Sequence, residues 1–210
     1  MSTLVFDDEQ AYADLVTFVG RARAVDPDGA MHLQVVGTVL AAHVGVLPGR
    51  GVLGEGTVTG MRAMALAQPS TLDAIVSLAS LADRFARQPE GAVELPVPPR
   101  RASAVWASLA PERGGWESVG TVPERELERA AGAGIEEVAR GTVPTAGSAA
   151  VARLRQSVWG RLTPTDPPVP AGAAFAAYVL GFLDPDRDAQ VFAHGRWVRV
   201  ATRRGQVLVR

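Results

Sequence analysis

The chain contains no cysteine and no lysine. Without cysteine there are no disulfide bonds, thiolate metal ligands or thiol nucleophiles. All 21 basic residues are arginine, so a lysine Schiff base and a lysine-dependent phosphate loop are excluded as well. The formal net charge is −1, which by itself argues neither for nor against a polyanionic partner.

A secretory signal is also missing from the first ten residues, MSTLVFDDEQ, which are acidic and have no apolar core. We therefore expect a cytoplasmic protein. The most uniformly apolar segment is 171–183, AGAAFAAYVLGFL, which has no charged residue. As a helix it would rise only about 20 Å, short of the roughly 30 Å of a hydrocarbon layer, so we expect no membrane association.

Segment 171–183 is instead typical of a buried helix. Its largest side chains recur at helical spacing, at Phe175, Tyr178, Val179 and Phe182. The opposite side, which includes Ala174 and Leu180, is apolar too. A helix that is apolar all round is covered by protein on every side. We expect it either in a domain core or at a subunit interface.

Charge and proline divide the chain near residues 88–101. Residues 1–100 carry 7 arginines against 11 acidic residues, whereas residues 101–210 carry 14 against 11. All four tryptophans lie in the second part, and four prolines cluster within 88–101. We predict an α+β subdomain at 1–87, a proline-rich linker at 88–101, and a helical subdomain at 102–210 that ends in a β-meander.

The N-terminal part predicts a helix, a small antiparallel sheet and a second helix. Asp7 or Asp8 can cap a helix that runs to about Arg23. The run 31–47 predicts a hairpin that turns at Gly37–Thr38 and pairs His32 with His43. Residues 61–68 suit a strand or a short helix, and we take the strand. Residues 70–87 predict a helix. This order resembles half of a DNA sliding-clamp domain over about 80 residues.

The second part predicts a strand at 116–122 and helices at 124–140, from Ser148, and at 171–183. It ends in a three-stranded meander. Turns at His194–Gly195 and Arg204–Gly205 would give the pairs Phe192–Trp197, Val191–Val198, Val200–Val209 and Ala201–Leu208. The chain as a whole is therefore predicted to be α+β.

A glycine-rich loop, Gly49–Gly60, contains the pattern G-x-G-x-x-G after a strand, with Asp73 about twenty residues on. A dinucleotide site needs a helix to begin inside that pattern, because the helix N-terminus binds the pyrophosphate. Here the loop continues as Glu55-Gly56-Thr57, a poor helix start, so we interpret it as a surface loop. An enzyme or small-molecule binder that uses this loop is the second alternative function.

The sequence gives little support for a catalytic site or a metal site. His32 and His43 could offer two imidazoles, but a catalytic zinc ion takes three protein ligands. No serine stands in G-x-S-x-G, and the adjacent Glu136 and Glu137 diverge on a helix. We predict no cofactor and no metal site, and we favour a protein that is not an enzyme.

The C-terminal meander is the segment most suggestive of function, since Arg187–Arg210 contains six arginines and one acidic residue. Arginines beside aromatic rings can neutralise phosphates and stack on bases. The candidate polyanion contacts are Arg196, Arg199, Arg203 and Arg204. Three helices followed by a hairpin resemble a winged helix, which implies DNA binding. However, the helix in the recognition position is the uncharged 171–183.

The leading hypothesis is therefore a non-enzymatic cytoplasmic interaction or regulatory protein that self-associates and binds a protein partner. Nucleic-acid binding through the C-terminal arginines is the first alternative.

Overall fold

The computed structural model of the chain describes residues 2–51, 53–109, 111, 114–142 and 147–210. These residues divide into two compact units. Unit 1 consists of Met1–Val46 and Met61–Leu109, and unit 2 consists of Leu47–Gly60 and Ala110–Arg210. Both units combine helices with antiparallel strands, which confirms the predicted α+β class.

In its described residues, unit 1 contains two α-helices, a short 3-10 helix (Val105–Ser108) and two sheets. Its elements are β1 (Thr3–Val5), α1 (Glu9–Val25), β2 (Ala30–Val36), β3 (Val39–Leu47), β4 (Val58–Ala65), β5 (Asp73–Ser77), α2 (Leu78–Phe85) and β6 (Glu94–Pro96). The strand order in its larger sheet is β5-β2-β3-β4, and β1 pairs with β6 in a second, two-stranded sheet. β3 and β4 each continue across the boundary between the units.

The predicted hairpin of unit 1 is confirmed in its register. His32 opposes His43, and Val36 opposes Val39. Gly37 has φ +62° while no non-glycine residue of the described chain has a positive φ, as a two-residue turn with glycine first requires. Strand alternation then buries one face completely, so that Met31, Leu33 and Leu40 are fully covered.

Helix α1 begins where the sequence predicted. The Asp8 carboxylate accepts a hydrogen bond from the N–H of Ala11 at 2.7 Å, which satisfies a free donor of the first turn. The buried side is formed by Tyr12, Leu15, Phe18, Val19 and Ala22. Phe18 lies at the centre of this side, whereas Val16 is only half-buried.

The prediction of one helix over 70–87 is wrong at its start. Residues 73–77 form β5, which pairs with β2, and α2 begins only at Leu78. Ile75 and Val76 are β-branched and favour the strand, and the Ser77 side chain caps α2 by accepting from the Ser80 N–H at 3.1 Å. Residues 61–65, predicted as strand, lie in β4 and confirm that choice.

The proline-rich segment 88–101 is more ordered than a linker. Its residues 94–96 form β6, and Leu95 and Val97 are buried at 0% and 2% exposure. On either side of this strand, Gly91 and Arg100 are exposed. The segment is therefore packed in part within unit 1, and the independence of 1–87 and 102–210 stays a prediction.

The part of unit 2 that the structure describes contains three helices beside a sheet. Its elements are β7 (Glu117–Pro123), α3 (Glu124–Gly141), α4 (Ser148–Trp159), α5 (Ala171–Val179), β8 (Asp188–His194), β9 (Trp197–Ala201) and β10 (Gln206–Val209). The strand order is β10-β9-β8-β7. Helix α5 packs against α3, α4 and β10.

The apolar segment 171–183 is buried in unit 2, although the helix ends earlier than predicted. Gly181 adopts φ +68°, the N–H of Phe182 donates to the Ala177 carbonyl, and the N–H of Gly181 donates to that of Tyr178. This Schellman arrangement stops the helix. Residues 172–177 are all buried, so the core alternative is supported within the isolated chain.

Helix α3 turns Gly134, and not the neighbouring Ile135, toward the interior. Leu127, Ala131 and Gly134 are buried, whereas Ile135 is 36% exposed. Gly134 lies against Trp159, the last residue of α4. The missing side chain thus allows the helices to approach, and this contact determines which side of α3 faces inward.

The meander has the predicted faces but another register. His194 pairs with Trp197 around a Gly195–Arg196 turn, so Phe192 opposes Arg199 instead of Trp197. Val200 likewise opposes Val207 instead of Val209. The shift is by two residues, and a shift of two leaves every side chain on its predicted face.

None of the helices in the described part of the chain combines the length and apolarity that crossing a membrane requires.

Candidate binding surface

The glycine-rich loop does not open a helix. Within it, Arg50 and Glu55 form an antiparallel bridge, and β4 follows directly. The Thr57 hydroxyl donates to the Gly54 carbonyl at 2.7 Å. The loop is therefore a closed turn that leads into a strand, without the helix N-terminus that a pyrophosphate needs.

The histidine pair forms part of a polar network on the sheet of unit 1. The rings of His32 and His43 lie 5.9 Å apart. His32 Nε2 lies 2.6 Å from Asp73 Oδ1, and Gln34 Nε2 donates to Asp73 Oδ2 at 3.1 Å. The hydrogen bond from His32 is the main reason that the pKa of Asp73 is lowered.

His43 is uncharged at neutral pH. Burial, together with the charge of His32, lowers its pKa to about 4. On the same face of β3, the ring of Trp106 lies against Gly45, two residues after His43. In the described ranges, no group of three or more His, Asp or Glu side chains is placed to hold a metal ion.

The four candidate arginines of the meander do not converge. Arg196 lies in the turn between β8 and β9, whereas Arg203 and Arg204 lie in the turn between β9 and β10. These turns are at opposite ends of β9, whose five residues extend about 17 Å. Arg199 lies between them, within the strand. The four arginines therefore lie at two separate turns and at one position in the middle of the strand.

Two of these arginines also have partners within unit 2. Arg204 Nη1 donates to the Leu183 carbonyl at 2.9 Å, and its Nη2 lies 3.6 Å from an Asp184 oxygen. Arg196 lies 3.8 Å from Glu55, an exposed and weak pair. Arg203 is exposed.

Arg199 has aromatic partners that the sequence did not predict. Its guanidinium carbon lies 4.5 Å from the ring centre of Trp116 and 4.3 Å from that of Phe192. Burial lowers the pKa of this guanidinium. Arg210 is similar, with its guanidinium carbon 5.6 Å from the ring centre of Trp197. The sequence did show that arginines and aromatic residues alternate on one face of the meander. Because the predicted register was wrong by two residues, it paired Phe192 with Trp197 and not with Arg199.

The same face has a buried floor. Trp197 and Leu208 are only 8% and 9% exposed. The Nε atoms of both Arg199 and Arg210 are buried and have no hydrogen-bond acceptor. We call the set of Trp116, Phe192, Trp197, Arg199, Leu208 and Arg210 the arginine–aromatic face. It can offer hydrogen-bond donors, positive charge and aromatic rings to an anionic group.

Glu124 is a further residue that the sequence analysis missed. It is the first residue of α3, is only 1% exposed, and accepts the N–H of Asp184 at 2.6 Å. Burial raises the pKa of this carboxyl group, although the nearby Arg204 and Arg187 oppose the shift. It ties the start of α3 to the segment before β8, which is a structural role.

A cleft of about 510 Å³ lies between α3 and the segment after α4. Ala130, Ala133 and Gly134 line one side, and Leu162 and Pro164 the other. At its rim the Arg161 guanidinium donates twice to the Glu137 carboxylate, at 2.8 and 2.9 Å. The charges of Arg161 and Glu137 neutralise each other. This pair therefore leaves no net charge at the cleft that could bind an ion.

Comparison with solved structures shows the fold of DNA polymerase sliding clamps. The clamp from Pseudomonas aeruginosa with ligand matches at a TM-score of 0.56 and 12% identity, over 100% of this chain and 64% of the clamp chain. The pol III beta of Caulobacter crescentus matches at 0.57 and 12%, over 100% and 65%. DNA polymerase III beta subunit from Thermotoga maritima matches at 0.54 and 14%, over 100% and 64%.

At these identities the likeness shows the fold alone. It extends the resemblance predicted for the first part of the sequence to the whole chain. The chain spans a little under two thirds of the length of the clamp chains that it matches. A comparison with curated proteins finds no match.

Two protein-family models match the chain. Residues 111–210 match Domain of unknown function (DUF8185), and residues 1–107 match Domain of unknown function (DUF8010). The second match covers just over half of the 210 residues, and the chain therefore belongs to the family of Domain of unknown function (DUF8010).

Proposed function

We propose that the chain is a non-catalytic interaction protein that associates with copies of itself and binds a protein partner. The observation that carries the proposal is the clamp fold over the full chain. The matching structures include a DNA polymerase sliding clamp and a DNA polymerase III beta subunit, and a subunit is part of an assembly. Fold-level analogy of this kind supports the general role and not a particular partner.

The charges on α1, α3 and α5 favour a protein partner over DNA. Helix α1 carries two acidic residues and two arginines, and α3 carries five acidic residues and three arginines. Helix α5 has no charge. Helices that face the phosphates of DNA need an excess of cations to replace the counterions, and these three do not have it.

An open strand edge in unit 2 supports self-association. In the described part of the chain, β7 pairs with β8 alone. Val119 lies at the irregularity in this pairing and is 49% exposed. The outer side of β5 in unit 1 is less open, because the Ile75 carbonyl accepts the N–H of Ala102 at 2.9 Å. An unpaired edge is a template for pairing with another chain.

Native mass spectrometry of freshly purified protein tests the proposal, because it reports self-association and retained partners together. We expect dimers or larger assemblies. A monomer that carries no partner at every concentration would contradict it.

A second candidate function is nucleic-acid binding, favoured by the exposed turn arginines Arg196, Arg203 and Arg204. For up to four phosphate contacts, the slope of log affinity against log salt should approach about −3 to −4. Replacing Arg203 and Arg204 by glutamine should then reduce the slope by about two. The matched control replaces the exposed Arg153 and Arg155 of α4. No binding at low salt, or an unchanged slope in the first variant, would reject this candidate.

A further inference from the structure

Arg199 and Arg210 of unit 2 differ from the arginines that form ion pairs in the described part of the chain. Arg62, Arg161, Arg187, Arg196 and Arg204 each lie within 4 Å of a carboxylate. Arg199 and Arg210 have no such carboxylate among the described residues, and the Nε of each is buried without an acceptor. An unsatisfied buried donor costs about 1–3 kcal/mol, so a pair of them on one face requires an explanation.

The register brings these two arginines together. Arg199 in β9 opposes Leu208 in β10. Arg210 lies two residues beyond Leu208 and therefore on the same face, next to Trp197. Diagonal neighbours of this kind lie about 7–8 Å apart between their Cα atoms. One extended ligand segment can thus contact both guanidinium groups.

The aromatic rings determine how Arg199 can bind. A guanidinium that packs on rings keeps its N–H donors along the edge of its plane, which is the geometry that a carboxylate meets with two parallel hydrogen bonds. Its partial burial weakens competition from water and strengthens the attraction to an anion. Trp116 and Phe192 are half-buried, so they can also contact an apolar side chain next to the acid.

We propose that the arginine–aromatic face binds the carboxylate side chains of an acidic peptide segment in a protein partner. This inference rests on the proposed role as an interaction protein and names the chemistry of its partner. Charge complementarity carries the choice of occupant, since neither arginine of this face has a carboxylate partner among the residues that the structure describes. A run of phosphates would need a row of cations, whereas the other arginines of the meander lie at the two separated turns.

The test is fluorescence anisotropy with two labelled peptides, a repeat of Glu-Leu-Asp-Phe and its uncharged analogue, a repeat of Gln-Leu-Asn-Phe. We expect the full chain to bind the acidic peptide at least about fivefold more tightly than the analogue. Arg199→Lys retains the charge but not the fork of donors, and should weaken binding of the acidic peptide at least about fivefold. The matched control, Arg203→Lys at the exposed turn, should leave the affinity unchanged. If Arg199→Lys does not fold, Arg210→Lys should show the same loss.

Three results would overturn the inference. They are equal affinity for both peptides, no effect of either arginine variant, and no binding of the acidic peptide below about 1 mM. The inference would also be overturned if a labelled oligothymidylate bound more tightly than the acidic peptide and this binding were lost in Arg199→Lys. That result would assign the face to nucleic acid. Sedimentation of the same samples separates the two proposals. Self-association without peptide binding rejects this inference alone, whereas peptide binding by a strict monomer rejects only the self-association.

Discussion

Gly134 of α3 lies directly against the ring of Trp159 of α4, so that a Cβ at position 134 would be 2.4 Å from Trp159 Cζ3 and 2.6 Å from Cη2. Gly132, one half-turn away, has nothing within 4 Å of the corresponding position. The same helix therefore contains one glycine that packing requires and one that it does not.

Alanine substitutions at these two positions should have opposite effects. Gly132→Ala should raise the free energy of unfolding by about 0.5–1 kcal/mol, because alanine is the better helix former. Gly134→Ala should lower it by about 1–3 kcal/mol net, since the rigid indole must move. Urea denaturation of both variants measures the difference. Stabilisation by both would show that Trp159 does not pack on Gly134.

Phe175→Ala should be strongly destabilising. Phe175 is 8% exposed and its ring stacks on that of Trp159 at 4.3 Å. We expect a loss of about 3–5 kcal/mol in the free energy of unfolding, and the loss should not depend on protein concentration. Tyr178→Ala is the control, because Tyr178 is 43% exposed and should cost about 1 kcal/mol or less. A loss that depends on protein concentration would instead place Phe175 in a subunit interface.

Acid should destabilise unit 1 through His43. Its folded pKa of about 4 lies below its ordinary value of 6.5, so the unfolded chain binds the proton first. The stability is therefore fully present above pH 6.5 and falls as the pH is lowered toward 4, by up to about 3 kcal/mol. His43→Gln should remove this part of the pH dependence when denaturation is followed between pH 4 and 7. His194→Gln, the control, should retain it. An unchanged pH profile in His43→Gln would contradict the prediction.

Limited proteolysis tests the proposed division of the chain at 88–101. An elastase-type protease should cut first between Gln88 and Arg101. We expect these cuts to avoid residues 94–97, because β6 pairs with β1 and Leu95 is fully buried. Early cleavage within Ala74–Ala86, with 88–101 intact, would refute the division.

The sequence predicted the parts of the fold that depend on residues close together in the chain, and it missed parts that depend on contacts between separate elements. The β2–β3 hairpin was predictable to the residue, because Gly37 and the period-two pattern act within a few positions. β5 was missed because no glycine or proline separates it from α2. The side of α3 that faces inward depends on Gly134 meeting Trp159, a contact between two helices.

The candidate site shows the same limit. Alternation correctly predicted which meander residues share a face, because alternation is a local property of a strand. It could not distinguish the His194–Gly195 turn from the Gly195–Arg196 turn, since the two registers differ by two residues. The contact of Arg199 with Trp116 joins residues 83 positions apart, and no local pattern predicts such a contact. Of the four arginines proposed from the sequence, three lie in the turns at the two ends of β9 and Arg199 lies within the strand.

The central claim, self-association of an interaction protein, is tested most directly by sedimentation velocity over a concentration series. We compare the wild type with Val119→Arg, which adds charge to the open edge of β7, and with Val39→Arg as the control. The two valines are 49% and 48% exposed, so both variants should fold. The account predicts that the wild type and Val39→Arg associate as concentration rises, whereas Val119→Arg remains monomeric. A wild-type protein that sediments as a monomer throughout would contradict the account, and association that survives Val119→Arg would reject β7 as the interface.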